Sequence, residues 1–331
     1  LHSKGKNMRN TVGLDISAET FDAVALIDGQ TAYKKFQNNQ DGIESLKNWI
    51  NGQSIEDGQN IYIIMEATGN YYEAVADNLA DDYHVSVINP LKIKRYADYR
   101  FNRTKTDKQD AKLIAEFGQN ALAKDLPKHK RPSENIQSLK RLLSLQNQLK
   151  EQLTAQKNRL KAAKDSFVQQ IHQKQIDELN QHLQDVDGQI KQTAKADKAI
   201  QETAKRLQTI PSVGQTTAIY LTVHLLTAHF KNANHFTAFA GMSPQQKKSG
   251  TSVNGKEKLT RYGNRKLRGA LFMAAMVAMR QNYFPDFTKR LQKAKKPKMV
   301  IICALMRKLL VIAYHLHKNQ TDFDPSRYKQ A

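Results

Sequence analysis

Thr106-Asp107-Lys108-Gln109-Asp110 carries two carboxylates three positions apart. If Asp107 opens a helix running through residue 115, both carboxylates project from one face. Like charges so placed repel, and they stay together beside basic residues most readily when a cation lies between them. An oxygen-only donor set suits Mg²⁺ or Mn²⁺. An ordinary helix start is the plainer role, because Asp complements the helix dipole, and on its own the pair would carry no more than that. Two further acids change the balance. Asp15 lies in Thr11-Val12-Gly13-Leu14-Asp15-Ile16-Ser17 and Glu66 in Ile61-Tyr62-Ile63-Ile64-Met65-Glu66-Ala67, each a single carboxylate within an apolar run that reads as a strand. Carboxylates are poor strand formers. A strand that carries one near the end of an apolar run aims it at something or satisfies it at an edge. Asp15, Glu66, Asp107 and Asp110 together make a candidate four-carboxylate metal site.

The elements needed to bring these acids together are legible in order. Residues 12–16, 22–26 and 31–36 read as antiparallel strands, with Asp28-Gly29 as the turn between the last two. Residues 42–50 have helical spacing at Ile43, Leu46 and Ile50. The continuous apolar run 61–65 suits a strand buried on both faces. A helix over 72–79, a strand over 85–88 stopped by Asn89-Pro90, and a helix over 91–99 then precede the carboxylate helix. Three antiparallel strands followed by alternating helices and strands is the order of a ribonuclease-H-like α/β fold. It places Asp15 on the first strand, Glu66 at the end of the fourth, and the aspartate pair on a late helix.

Bulk composition names the kind of partner. The 331 residues with 40% hydrophobic content can form two or three domains with real cores. A formal net charge of +21 points to a polyanion, nucleic acid before membrane, since no amphipathic anchor or long apolar span stands out. The charge is unevenly distributed: residues 1–127 hold 15 Lys+Arg against 18 Asp+Glu, whereas the remainder holds 37 against 13. Cys303 is the single cysteine, so an intrachain disulfide is excluded and a reducing cytoplasm is expected. The polar opening, residues 1–7, lacks the apolar core of a secretory leader and is set aside from the fold. The ten histidines do not pair with cysteine at zinc-ligand spacing.

Beyond the first domain, expected over residues 8–127, Pro127 and Pro132 bracket the basic run Lys128-His129-Lys130-Arg131. Leu139, Leu142, Leu149, Leu153 and Leu160, with Gln146 and Gln156 in the seam, predict a helical hairpin or coiled coil over 128–206, together with Ile176, Leu179, Leu183, Val186 and Ile190. An internal antiparallel pair and a protomer-joining arm are equally compatible with it. The third segment, 207–331, is expected to be mainly helical. It opens with Ile210-Pro211-Ser212-Val213-Gly214, a turn of the helix-hairpin-helix kind whose following helix start can meet a phosphate, or else a plain helix-helix turn. A short helix near 236–240 leads into 241–255, read as a loop rich in Ser, Gly and Lys. Lys256, Lys258, Arg261, Arg265, Lys266 and Arg268 follow, with Glu257 the one nearby acid. Such a density of cations favours phosphate contact and a steep salt dependence of binding. A helix over 265–279 and a strongly apolar helix over 299–316, read as core, complete the segment.

The series Gly13-Leu14-Asp15-Ile16-Ser17, Met65-Glu66-Ala67-Thr68-Gly69, Lys105-Thr106-Asp107-Lys108-Gln109-Asp110-Ala111, Ile210-Pro211-Ser212-Val213-Gly214 and Ala240-Gly241-Met242-Ser243-Pro244 followed by Ser249-Gly250 resembles the DEDD transposases of the IS110 family, relatives of the Piv-type DNA invertases. The likeness spans nearly the whole chain, and its motifs are specific jointly. Met242 departs from the leucine usual there. The resemblance implies a RuvC-like nuclease domain holding Mg²⁺ on Asp15, Glu66, Asp107 and Asp110, a coiled-coil connector, and a transposase domain with a nucleophilic serine. It further implies a structured bridge RNA as guide, DNA ends and target as substrates, dimers pairing into tetramers, and a bacterial cytoplasmic, nucleoid-associated setting. Ser249 is the expected nucleophile. It precedes Gly250, which lets a phosphate approach the backbone, and follows Lys247 and Lys248, which can hold that phosphate. Ser243 precedes a proline, and Ser252 competes for the role. A RuvC-like junction resolvase using water, and a non-catalytic nucleic-acid-binding protein, are the alternatives.

Overall fold

The computed structural model describes residues 9–53, 61–101, 106–249, 253–260 and 262–328, with the backbone alone described over 246–249 and 253–258. Two compact units divide the chain, Leu1–Arg131 and Pro132–Ala331.

Unit 1 is a five-stranded mixed sheet with helices on both faces. Its elements run β1 (Asn10–Ile16), β2 (Thr20–Ile27), β3 (Gln30–Gln37), α1 (Gln40–Asn51), β4 (Ile61–Glu66), α2 (Tyr72–Leu79), β5 (His84–Ile88), α3 (Pro90–Tyr99) and α4 (Asp107–Asn120). The strand order is β3-β2-β1-β4-β5, with β1 to β3 antiparallel and β1, β4 and β5 parallel. This arrangement is compatible with a ribonuclease-H-like fold.

Alternation along β1 explains the layering. Val12 and Leu14 face a core shared with Phe21, Ala23, Ile43, Leu46, Ile50, Val75 and Leu79, so α1 and α2 cover that side. Thr11 and Gly13 face the other side, where α4 lies. The Asp28-Gly29 turn takes positive φ at both residues (47° and 81°), which suits a tight turn between twisted strands. At the opposite edge the chain after α4 lies along β5, where the His129 amide donates to Val85 O at 2.7 Å and Ser86 Oγ to Pro127 O at 3.1 Å. Covering an edge in this way hides its unpaired backbone groups.

Unit 2 is mostly helical. It contains α5 (Glu134–Ala162), α6 (Ser166–Ala196), α7 (Lys198–Gln208), α8 (Gln215–Thr227), α9 (Ala233–Phe239), the two-stranded β6 (Pro244–Ser249) and β7 (Val253–Leu259), α10 (Arg265–Arg280), α11 (Pro285–Lys293) and α12 (Lys298–Asn319). A single apolar core runs from Ile136 on α5 to Leu316 on α12. The helices of the expected segments 128–206 and 207–331 therefore share one core. By length and composition α12 could cross a membrane, yet Ile301, Leu305, Leu309, Leu310 and Ala313 are buried as the spine of that core. Helices α5 and α6 form an antiparallel hairpin. Leu139, Gln146 and Leu149 lie in its seam as the spacing predicts, with Leu143 buried where Leu142 is only half so.

The stretch expected as a loop at 241–255 contains a β-hairpin instead. Its composition offers no apolar alternation because pairing here is carried by backbone: Ser249 opposes Val253, Lys248 opposes Asn254, Lys247 opposes Gly255 and Pro244 opposes Leu259.

Candidate active site

The carboxylate site is built by a close approach of α4 to β1. A side chain at Gly13 would bring its Cβ within 2.2 Å of Ala111 O and 2.3 Å of Ala115 N, so the strand must carry glycine there for the helix to lie flat on it. Thr11 Oγ donates to Ala115 O at 3.0 Å, and Gly118 meets Ile64 on β4. Successive residues of one strand face thus meet successive turns of one helix: Thr11 at Ala115, Gly13 at Ala111 and Ala115. One further step brings Asp15, the next residue on that face, beneath the first turn of α4.

That first turn carries Asp107 and Asp110, and Thr106 caps it by accepting from the Gln109 amide at 3.3 Å. Glu66 joins them because β4 runs parallel to β1 with Met65 opposite Leu14, and because Glu66 shares the face of Ile64. Its carboxylate accepts from Thr68 Oγ at 2.7 Å. Asn38 ties down the strand-end loops by donating to Ser17 O and Tyr71 O.

Electrostatics report the convergence. The Asp15 carboxyl is pushed up to about 6, first by burial and then by the charges of Asp110, Asp107, Glu66 and Asp22. Among the described residues no three acidic, His or Cys side chains close into a ligating cluster. Asp110, Asp107, Glu66 and Asp22 each lie within electrostatic range of Asp15. A hard divalent cation fits this donor set by chemistry: carboxylate oxygens alone, with a half-buried aspartate whose ionisation is opposed by its neighbours.

Asp22 is a fifth acid that the spacing argument passed over. It is 4% exposed, directly opposite Asp15 in the β1–β2 register, and opposite Lys35 on β3. Tyr33 donates its hydroxyl to Asp22 at 2.7 Å, and the Lys35 ammonium lies 3.4 Å away. The signal that marked Asp15 and Glu66, one acid inside an apolar strand, was present in Phe21-Asp22-Ala23-Val24 as well.

In unit 2, Ser249 ends β6. Lys247 and Lys248 lie on the same strand, and Lys256 and Lys258 on β7. Ser252, Gly250 and Arg261 fall outside the described residues. The root of this hairpin is a close backbone crossing. Gly241 and Gly263 take φ of 72° and 121°, and a Cβ on Gly263 would stand 2.4 Å from Gly241 N. Arg268 is half-buried over Gly241 and reaches Ala240 O at 3.4 Å, while Lys266 donates to Ser144 Oγ at 2.8 Å. Arg265 is exposed at the first position of α10. Asn264 caps α10 and turns its Nδ2 to His224 Nε2 at 3.2 Å. Because the amide donates, Nε2 accepts, and burial lowers the imidazole to about 4.

A family model described as Transposase, for the DEDD transposases of IS110, matches residues 12–173, and one described as Transposase IS116/IS110/IS902 family matches 204–292. The class is therefore a DEDD transposase, a DNA-recombination enzyme. The chain belongs to the IS110 family. It is similar to the pilin gene-inverting proteins of Moraxella bovis and Moraxella lacunata, each 34% identical over 318 residues, covering 95% of this chain and 97% of theirs. A shorter stretch of 74 residues, 22% of this chain, is 40% identical to an uncharacterized insertion element IS110 protein of Streptomyces coelicolor, covering 18% of that protein.

Proposed function

We propose that this protein is an RNA-guided DNA recombinase that cuts and rejoins DNA through Ser249, using a divalent-cation site on a ribonuclease-H-like unit. The observation that carries the reading is the alignment of β1 with α4, which brings Asp15 under Asp107 and Asp110 beside Glu66. Asp15, Glu66, Asp107 and Asp110 would hold Mg²⁺ or Mn²⁺, which supplies charge neutralisation at the scissile phosphate.

The chain's own residues do the rest. Ser249 Oγ forms a bond to phosphorus as the P–O bond to one strand breaks; the serine proton passes to solvent, and the released oxygen takes a proton from solvent to leave a hydroxyl on the DNA end. Rejoining reverses these bonds. Lys247, Lys248, Lys256, Lys258, Arg261 and Arg265 neutralise nucleic-acid phosphates, and Lys266 and Arg268 extend that basic surface at the start of α10. Cations in the first turn of a helix oppose the helix dipole, an arrangement that a bound polyanion offsets. The excess of basic residues in unit 2 exceeds what a short DNA site needs, which supports a structured guide RNA as a second ligand. Homodimers assembling to tetramers would bring two DNA segments together, with the α5–α6 hairpin as coiled-coil connector. Similarity to pilin gene-inverting proteins along nearly the full chain makes inversion as natural an outcome as transposition.

The test is an in vitro recombination assay with element ends, target and flanking RNA. Wild type should leave a covalent protein–DNA adduct that mass spectrometry places on Ser249; Ser249→Ala should bind RNA and DNA but form none, while Ser252→Ala retains it. Asp107→Ala and Glu66→Ala should each be inactive. Metal-dependent cleavage without any adduct would instead establish water as the nucleophile, and full activity of RNA-free protein would remove the guide.

A further inference from the structure

The first turn of α4 meets the sheet at a second place besides β1. Lys108, between the two aspartates of that turn, sets its ammonium 4.7 Å from the centre of the Tyr33 ring on β3. Tyr33 passes its hydroxyl proton toward Asp22 at 2.7 Å, and Asp22 stands opposite Asp15 in the sheet. Lys35, beside Tyr33 on the same strand face, closes the other side of Asp22 at 3.4 Å. A continuous chain of contacts therefore runs from the helix that carries Asp107 and Asp110, through the edge strand, back to the strand that carries Asp15. Its chemistry is suited to that position. An acidic turn over an acidic strand is pushed away by repulsion, and a cation held on an aromatic face offsets this.

We infer that Lys108, Tyr33 and Asp22 are positioning residues that hold the first turn of α4 over Asp15 and so set the affinity of the carboxylate site for a divalent cation. The inference rests on the four-carboxylate reading for its consequence, and on the contacts themselves for the placement of α4. Lys108 acts on the site through the placement of α4. Lys108→Met removes the charge and keeps the length of the side chain. Tyr33→Phe keeps the ring under Lys108 but releases Asp22; Tyr33→Leu removes both links.

Two measurements on the full-length protein test this. Amide hydrogen exchange over residues 107–111 should quicken in Lys108→Met and Tyr33→Leu, with Lys108→Arg restoring the wild-type rate because a guanidinium stacks on the same ring. Titration with Mn²⁺ alone, read by paramagnetic resonance, should show half-saturation weakened about threefold in Lys108→Met, the size of one exposed cation–π contact, and restored in Lys108→Arg. Tyr33→Phe should fall between them. Asp15→Asn is the companion measurement. If it abolishes Mn²⁺ binding while Lys108→Met changes neither exchange nor half-saturation, the site stands and the bridge is overturned. If Asp15→Asn leaves Mn²⁺ binding untouched while exchange responds to Lys108→Met, the bridge holds α4 as inferred and the four-carboxylate reading fails instead.

Discussion

A carboxylate that must shed its neighbours' repulsion to ionise is under strain in the folded chain, and Asp15 is in that position. Its folded-state pKa, raised from 3.8 to about 6, means that folding opposes its ionised form. The cost is absent below the ordinary value and complete above about pH 6, so stability without a divalent cation falls as pH rises through that window. After allowance for solvent screening at a half-buried group the size is about 1–2 kcal/mol. Asp15→Asn should therefore melt a few degrees higher than wild type at pH 8 in chelator, and lose the pH dependence between 4 and 6, while recombination is abolished. A lower melting temperature would contradict the repulsion argument. His224 works in the opposite sense. Its imidazole is lowered from 6.5 to about 4, so the unfolded chain takes up the proton first, and stability falls as pH drops from about 6.5 to 4 by about 3 kcal/mol. His224→Gln, which can still accept from Asn264, should flatten that limb in urea titrations at pH 5 and pH 7.5. At this scale the sequence shows which acids to consider and hides their partners. Asp15, Glu66, Asp107 and Asp110 announce themselves by type and spacing, whereas the place of Asp22 depends on which residue of β1 it opposes, and register is set by the whole sheet.

At the scale of elements, the site depends on how near one helix can lie to one strand. Gly13 allows α4 to approach β1 at backbone distance, with Ala111 and Ala115 as the matching small residues. Gly13→Ala should push α4 outward, costing about 2–4 kcal/mol by overpacking a contact that has backbone on both sides. The outward shift should also lower divalent-cation affinity, measurable by calorimetry even in a variant that still folds. Unchanged stability would mean that the helix does not approach as closely as described. Elements of unit 1 were readable because each has its own period: apolar runs for β1 and β4, three-four spacing for α1, an Asn-Pro stop after β5. The hairpin β6–β7 was not. It has no apolar face to alternate, and its strands are defined by cross-strand backbone bonds between residues whose types suggest a loop. The crossing of Gly241 and Gly263 at its root is likewise a tertiary fact, since the two glycines are far apart in sequence and unremarkable singly.

Over the whole molecule, the excess positive charge and the candidate carboxylates fall in different units. Unit 1 carries 18 Lys+Arg against 18 Asp+Glu, and unit 2 carries 34 against 13, so the entire formal excess of +21 belongs to unit 2. A neutral unit with acids grouped at one place offers nucleic acid little attraction by itself, and a strongly basic unit in the same chain supplies the local concentration of phosphate. Binding and cutting should then be separable by mutation. Affinity for DNA or RNA should fall linearly with the logarithm of salt concentration, with a slope near −0.9 per phosphate neutralised on a duplex. Each of Lys256→Ala, Lys258→Ala, Arg261→Ala and Arg265→Ala should make the slope shallower by about one and weaken binding for all sequences alike. Arg268→Ala should behave differently. Its guanidinium already reaches Ala240 O over Gly241, so removing it should lower stability more than it changes the slope. Asp15→Asn and Asp107→Ala should leave the slope unchanged. Fluorescence anisotropy across 50–300 mM salt reads all of these, and a slope that responds to the carboxylate variants as strongly as to the lysines would show that binding and chemistry share one surface after all.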